Sequence, residues 1–477
     1  MIYLNINAVN HDNDVRVMIQ AFYPGEKIII DETMIRECIG TVRVNIEDNL
    51  ISACLDFGKK VDFKCTCEDS DRKTIRDNLK RELYRAFNKI TGKVLPWGTL
   101  TGIRPTKILY NFMEEGMDEA SIKEQIAKEY LASPAKIDLA CEVAQNERRL
   151  LHSVDFEKGY SLYVGIPFCP TTCLYCSFTS YPLSLWKNRV DEYLDALIKE
   201  LSFYSEMLKG KKATSIYMGG GTPTTLNAGQ LTRLITFIRE NFDISELKEF
   251  TVEAGRPDSI DESKLEALRA LDIDRISINP QTMNQKTLDL IGRRHSVTQV
   301  KDAFYLAREC GFTNINMDLI IGLPGETKED VAHTLDELRI MRPDSLTVHS
   351  LAIKRAARLN IFKDDYKDYR IENTDEIISM TYDFAKELGL EPYYLYRQKN
   401  MAGNFENVGY AKKDCFGLYN VLIMEEVQTI VAAGAGTVCK RVYPGGRIER
   451  CDNVKDVGLY ISKIDEMIER KRELFGD

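Results

Sequence analysis

No stretch of this chain approaches the roughly 18 consecutive apolar residues that a membrane-crossing helix requires. Its first residues, MIYLNINAVNHDND, hold neither a basic n-region nor an apolar h-region. A soluble, unexported, cytoplasmic protein is expected. An excess of basic charge is missing too. The 64 Lys and Arg are outnumbered by 73 Asp and Glu, a formal charge of −9, so the general attraction to phosphate backbones that nucleic-acid binding draws on is absent. Neither nucleic acid nor a membrane is expected as a partner. There is no internal repeat with a period of 20 to 50 residues, which excludes a solenoid or propeller. Nor do the 12 Cys show the spacing of a small disulfide scaffold. They read as reduced thiols, and any tight cluster among them becomes a metal candidate.

What is present is an ordinary globular composition, 44% hydrophobic and 29% charged over 477 residues. That is too long for one core, since single cores stop growing near roughly 250 to 300 residues. Residues 1 to about 70 alternate apolar and polar positions (Ile2-Tyr3-Leu4-Asn5-Ile6), and 72 to 150 turn helical, with Leu79, Leu83, Phe87 and Ile90 in register. An α+β N-terminal domain over 1–150 is expected. From Tyr160 short β-rich runs alternate with amphipathic stretches. The runs are 160–165, 214–218, 249–253, 274–279, 314–321 and 345–351. Between the first two, Val190, Tyr193, Leu194, Leu197, Ile198, Leu201 and Tyr204 form one helical stripe. Six β-helix units in a row imply an α/β barrel or open partial barrel over 155–390, with parallel strands and a site built from the loops at their C-terminal ends. The Tyr-, Asn- and Gly-rich remainder, 391–477, is expected as a small C-terminal region over the barrel mouth.

The densest motif follows the first of these strands: Tyr163-Val-Gly-Ile-Pro-Phe-Cys169-Pro-Thr-Thr-Cys173-Leu-Tyr-Cys176. Three thiolates this close can converge on one inorganic centre, and soft thiolates select an iron–sulfur cluster or zinc. Structural zinc closes with four ligands, yet no fourth Cys or His lies near; His152 precedes the strand. A three-thiolate cubane leaves one iron open to chelate a substrate's amino and carboxylate groups. Further candidates sit at later strand ends. Gly219-Gly220-Gly221-Thr222 lets backbone approach a ligand. Glu253 ends the third strand, Gln281 follows the fourth, and Arg293 offers a guanidinium suited to bidentate carboxylate binding. Asp318 lies inside an apolar strand, where a carboxylate is costly without a partner. Cys65 and Cys67 share a strand face as plain thiols, and the segment GAGTVC (434–439) lacks a full dinucleotide fingerprint.

C-x3-C-x2-C after a strand is the radical S-adenosylmethionine (SAM) signature, and the lead-in I-P-F-C with the Y-C ending resembles the oxygen-independent coproporphyrinogen III oxidase family. The resemblance implies a partial (β/α)6 TIM-like barrel. It implies a [4Fe–4S] cluster on Cys169, Cys173 and Cys176 that donates one electron to SAM, releasing methionine and a 5′-deoxyadenosyl radical. It also implies SAM contacts from Tyr163, Tyr175, Gly220, Gly221, Thr222, Glu253, Gln281, Arg293, Asp318 and Ala352. The long N-terminal domain, LPWGTLTGIRPTKI (95–108) and YRQKNMAGNFENVGYA (396–411) resemble the HemZ-type coproporphyrinogen dehydrogenases. That implies a tetrapyrrole substrate, coproporphyrinogen III decarboxylated to protoporphyrinogen IX in anaerobic haem biosynthesis, and a low-potential donor such as flavodoxin or ferredoxin. Arg355, Arg358, Arg397 and Lys399 are candidates for holding substrate carboxylates. Two departures keep alternatives open. Gly165 stands where the family has histidine, and Ser177-Phe178 follows Cys176 where the decarboxylases place another Cys. The second resembles haem chaperones of the same superfamily, and a SAM-dependent haem-degrading methyltransferase is the third reading.

Overall fold

The structure, a computed structural model, describes residues 1–102, 104–352, 357–361, 369–398, 401 and 405–476. Two compact units divide the chain: Met1–Ala144 with Leu395–Glu406, and Gln145–Tyr394 with Asn407–Asp477.

In the first unit, alternating strands make a five-stranded sheet in the order β2-β1-β3-β4-β5, where β1 is Ile2–Ile6, β2 Ile28–Ile29, β3 Gly40–Glu47, β4 Leu50–Asp56 and β5 Lys60–Thr66. The period of two puts Val42, Val44, Ile51, Ala53 and Leu55 into one core with Ile75, Leu79, Leu83 and Phe87 of the helix Arg72–Thr91. Asp71 caps that helix and Gly92, at φ 71°, ends it. Glu406 accepts from the Trp97 indole (2.7 Å) and Lys136 (2.5 Å), so the segment Leu395–Glu406 is tied into this unit. Arg397, a candidate carboxylate holder by sequence, is buried in the same place. It donates to the Leu100 carbonyl and lies 5.9 Å over the Trp97 ring, and burial lowers its pKa to about 10. Arg355 and Lys399, and the side chain of Arg358, lie outside the described residues.

The second unit is built on six parallel strands in sequence order: β6 (Gly159–Ile166), β9 (Lys212–Gly220), β10 (Glu249–Glu253), β11 (Arg275–Ser277), β12 (Ile315–Ile321) and β13 (Ser345–Ser350). Each falls on a run expected from the sequence, with helices between them. Two short strands, β7 (Phe168–Cys169) and β8 (Tyr181–Pro182), form a separate parallel pair beside β6. The remaining strands are β14 (Glu391–Tyr396), β15 (Asn407–Ala411), β16 (Ile430–Ala433), β17 (Val438–Val442) and β18 (Ile448–Asp452). They extend the same sheet at both ends, in the order β14-β15-β13-β12-β11-β10-β9-β6-β16-β17-β18. Residues beyond 390, expected as a region over the mouth, therefore supply strands to both edges of an open partial barrel. An open sheet leaves unpaired backbone groups at its edges, and these strands satisfy them. Among the described residues no helix is long and apolar enough to cross a membrane.

The expected stripe on the helix Val190–Met207 is buried, and Glu200 is buried with it. Its carboxylate accepts from the Tyr460 hydroxyl (2.6 Å), the Asn453 amide (2.9 Å) and the Gly434 N–H (3.0 Å), while the buried Lys471 donates to Asn453 (2.6 Å). Burial pushes the Glu200 carboxyl upward, and Lys471 and these hydrogen bonds pull it back. The network clamps the loop after β16 and the last helices to the barrel. Glu200→Ala strands several buried donors and should cost about 3–5 kcal/mol, with Glu200→Gln milder. An Ala variant that melts with the wild type would show that the network contributes nothing.

Candidate active site

The Cys loop hangs between β7 and β8. Cys169 ends β7, and Cys173 and Cys176 lie on the connection that returns at Tyr181, whose N–H donates to Pro167 (2.8 Å). Backbone bonds pin the loop elsewhere: Leu174 N–H donates to Ile291 (2.9 Å), and the Thr171 hydroxyl to the Gly292 carbonyl (3.2 Å). Each thiol has a donor of its own. Thr222 Oγ1 approaches Cys169 (3.5 Å), Arg256 Nη1 and Arg293 Nη1 approach Cys173 (3.6 and 3.9 Å), and the Phe178 backbone and Ser180 hydroxyl bond to Cys176. Burial pushes Cys169 up to about 11 and raises Cys176 as well, the hydrogen bonds opposing it. No group of three or more His, Cys, Asp or Glu among the described residues is placed around a single metal ion.

The glycine strand end packs backbone to backbone against this loop. Gly221 N–H donates to Ile166 O (2.8 Å) and Thr222 N–H to Phe168 O (2.7 Å). A Cβ on Gly221 would come within 2.6 Å of the Phe168 carbonyl, so only glycine fits. The Gly221 and Thr222 amides are thus spent on holding the loop. Glu253 takes a hydrogen bond from the Tyr217 hydroxyl (2.6 Å), and Tyr217 belongs to a three-ring cluster with Tyr163 (6.1 Å) and Tyr419 (4.6 Å), which lie 6.0 Å from each other. Burial raises the Glu253 carboxyl to about 7; Asp318 adds to the rise, and the Tyr217 bond opposes it.

Gln281 is buried at φ 69°, an uncommon conformation for a residue other than glycine. Its backbone bonds Asp318 O (2.9 Å) and Ile320 N–H (3.0 Å), while its Oε1 has no partner among the described residues. Arg293 is already engaged by protein groups through both of its terminal nitrogens. Its Nη2 donates to the Gly255 (2.8 Å) and Asn279 carbonyls and its Nη1 to Tyr175 OH (3.2 Å), leaving Nε as its unbonded donor. The fork read as a carboxylate clamp ties the Cys loop to the ends of β10 and β11. Asp318 likewise has protein partners, Asn316 Nδ2 at 2.7 Å and His349 Nε2 at 3.8 Å. Burial works to raise its carboxyl, and bonds from His349, Asn316 and Thr347 outweigh that and leave it below the usual range. Ala352 lies half-buried just past β13.

Three residues escaped the sequence reading. Arg256 and Asp258 form a bidentate pair (2.9 and 2.8 Å) directly under Cys173, and His295 lies beside them, its Nδ1 3.9 Å from Asp258. Burial and the two arginines lower His295 to about 3, so it is neutral. The Arg-Pro-Asp triplet after β10 was visible, but nothing in it says that the pair is buried. Gly165 is also explained: a Cβ there would lie 2.5 Å from the Thr437 methyl, so the histidine position is filled from the loop after β16.

The family model of the radical SAM superfamily matches residues 163–338. The oxygen-independent coproporphyrinogen-III oxidase-like protein HemZ of Bacillus subtilis is 40% identical over 404 residues, 84% of this chain and 81% of that protein. The haem chaperone HemW of Lactococcus lactis is 38% identical over 199 residues, 42% of this chain and 50% of its own length. Among solved structures, coproporphyrinogen III oxidase (HemN) from Escherichia coli, a radical SAM enzyme, aligns with a TM-score of 0.53 and 26% identity, covering 67% of this chain and 73% of that one. A barrel alone would give the shared half; the identity that continues through most of both chains shows that this chain belongs to the radical SAM superfamily and, within it, to the HemZ-type, oxygen-independent coproporphyrinogen III oxidase-like family.

Proposed function

We propose that the protein is a cytoplasmic radical SAM oxidoreductase that converts two propionates of coproporphyrinogen III to vinyl groups, yielding protoporphyrinogen IX and two CO2 in anaerobic haem biosynthesis. The length of the relationship to HemZ carries this reading. An alignment of 404 residues is longer than the barrel and the C-terminal region together, so it takes in part of the N-terminal unit, whereas the relationship to the haem chaperone spans 199 residues.

Cys169, Cys173 and Cys176 are the residues we assign to the [4Fe–4S] cluster. Burial holds the Cys169 and Cys176 thiols protonated, so ligation there must displace protons, which a bound cation does. We assign SAM to Tyr163, Tyr175, Gly220, Gly221, Thr222, Glu253, Gln281, Arg293, Asp318 and Ala352. The orphan Oε1 of buried Gln281 and the glycine cradle beside Glu253 support that assignment. When bound, the cluster and SAM supply the one-electron cleavage that yields a hydrogen-abstracting oxidant. The protein's own part is to hold and shield. Tyr217 orients the Glu253 carboxylate, the Tyr163, Tyr217 and Tyr419 ring cluster walls the barrel interior against water, and the Gly221 and Thr222 amides keep the Cys loop in register with β9. Each vinyl formed releases one CO2 and, after hydrogen removal, one electron. The reaction therefore needs an acceptor as well as a low-potential donor such as flavodoxin or ferredoxin.

A haem-binding chaperone is the second reading, favoured by Ser177-Phe178, where the decarboxylase pattern has a further Cys; Phe178 is 72% exposed.

Under strict anaerobiosis with reductant, coproporphyrinogen III should give 5′-deoxyadenosine and a product lighter by two CO2. SAM cleavage without decarboxylation overturns the dehydrogenase reading; a stoichiometric haem Soret band without turnover supports the chaperone, and S-adenosylhomocysteine with ring-opened haem supports the methyltransferase. Cys173→Ala should abolish both iron binding and SAM cleavage, measured by iron analysis and chromatography; retained activity refutes the triad. A carboxyl raised to about 7 is protonated below that pH and ionised above it. SAM binding through Glu253 should therefore strengthen as pH rises from about 6 to 8, by at most about tenfold per unit. Glu253→Gln should flatten the profile in anaerobic equilibrium binding, and a flat wild-type profile counts against Glu253.

A further inference from the structure

We propose that Arg256 tunes the redox centre: its guanidinium donates an N–H···S hydrogen bond to Cys173 and raises the reduction potential of the cluster that this thiolate holds. The proposal rests on the assignment of Cys173 as a cluster ligand.

Arg256 follows β10 in Thr251-Val-Glu-Ala-Gly-Arg256-Pro-Asp258 and is 3% exposed. A buried cation is costly unless paired, and Asp258 supplies the pairing at the far side, taking Nε and Nη2. That leaves Nη1 alone to face the Cys loop. There it donates to the Thr171 carbonyl (3.2 Å) and hydroxyl (3.1 Å) and approaches Cys173 Sγ at 3.6 Å. The backbone beneath is fixed as well. Ser259 Oγ donates to the Arg256 carbonyl (2.6 Å) and shares a hydrogen bond with Thr224 (2.7 Å), while Lys264 Nζ spans the Thr224 and Ser259 carbonyls (2.9 and 2.8 Å). The donor is therefore held in place before any cluster binds. Lysine could not replace it, because one ammonium cannot satisfy a carboxylate fork and present a separate donor to sulfur.

The sign comes from charge. Reduction adds an electron to a centre already negative through its thiolates, so a donor hydrogen bond and a nearby positive charge stabilise the reduced form more than the oxidised one. Burial weakens solvent screening of that effect. Asp258 opposes it from farther away, so the pair acts as a dipole with its positive end toward Cys173. Removing the arginine and removing the aspartate must then move the potential in opposite directions. A merely structural clip, holding Thr171 and the loop, predicts instead that both losses act alike.

The test is an EPR-monitored redox titration of the full-length protein with reconstituted cluster and without SAM, with iron and sulfide content measured alongside, for wild type, Arg256→Gln, Arg256→Lys and Asp258→Asn. We expect Arg256→Gln to keep its cluster and shift the midpoint downward by about 59 mV, a tenfold change in the one-electron equilibrium, and Asp258→Asn to shift it upward. Equal potentials at equal cluster content, or both variants moving the same way, overturn the proposal. If Arg256→Gln assembles no cluster, the other two decide: an upward shift in Asp258→Asn with a smaller downward shift in Arg256→Lys supports tuning, and no shift in either refutes it. Failure of the wild type to form a [4Fe–4S] cluster would overturn the ligand assignment and this proposal with it, whereas a normal cluster with unmoved potentials would remove only the proposal.

Discussion

Two backbone hydrogen bonds, from Gly221 N–H to Ile166 O and from Thr222 N–H to Phe168 O, hold the Cys loop against the end of β9. They continue the parallel pairing of β6 and β9 beyond the last residues of both strands, and they need a surface without Cβ atoms, because one on Gly221 would strike the Phe168 carbonyl. From this contact the rest of the site is placed. Cys169 is brought beside the Thr222 hydroxyl, Gly220 faces the Tyr163 hydroxyl, and Glu253 lies against Gly219 on the neighbouring strand.

The second organising constraint is the concentration of charge where water is scarce. Arg256, Arg293, Asp258 and His295 lie under Cys173, and each is compensated differently. Arg256 pairs with Asp258, Arg293 divides its donors among two carbonyls and a phenol, and His295 loses its charge altogether. On the other side of the mouth Glu253 and Asp318 diverge: burial raises the first, while hydrogen bonds lower the second. The two neighbouring carboxyls thus have separated proton affinities. At the barrel's outer edge the Glu200 network plays a quieter part, holding the loop whose Thr437 fills the space beside Gly165.

The parallel strands were legible because each is a short β-rich run followed by a helix with a clear apolar stripe, so period and order sufficed to read an open α/β barrel. The Cys triad was legible because its three thiols share one local segment. Residues 391–477 were not, since strands such as Asn407–Ala411, antiparallel to β13, and Ile430–Ala433, parallel to β6, find partners that lie far away in sequence. Arg397, a candidate carboxylate holder by sequence, is buried against Trp97, a fate that depends on a segment returning to the first unit.

Sequence by itself determined the Cys motif, the glycine turn, the strand order and the family, because these are properties of local spacing. Only the tertiary structure decided which donors reach which sulfur, that the Arg293 fork is already engaged, that Gln281 keeps an orphan oxygen, and that Arg256 faces Cys173. The physical reason is that hydrogen bonding and charge compensation inside a barrel are settled between strands that lie far apart along the chain, and burial, which sets their strength, exists only once those strands have come together.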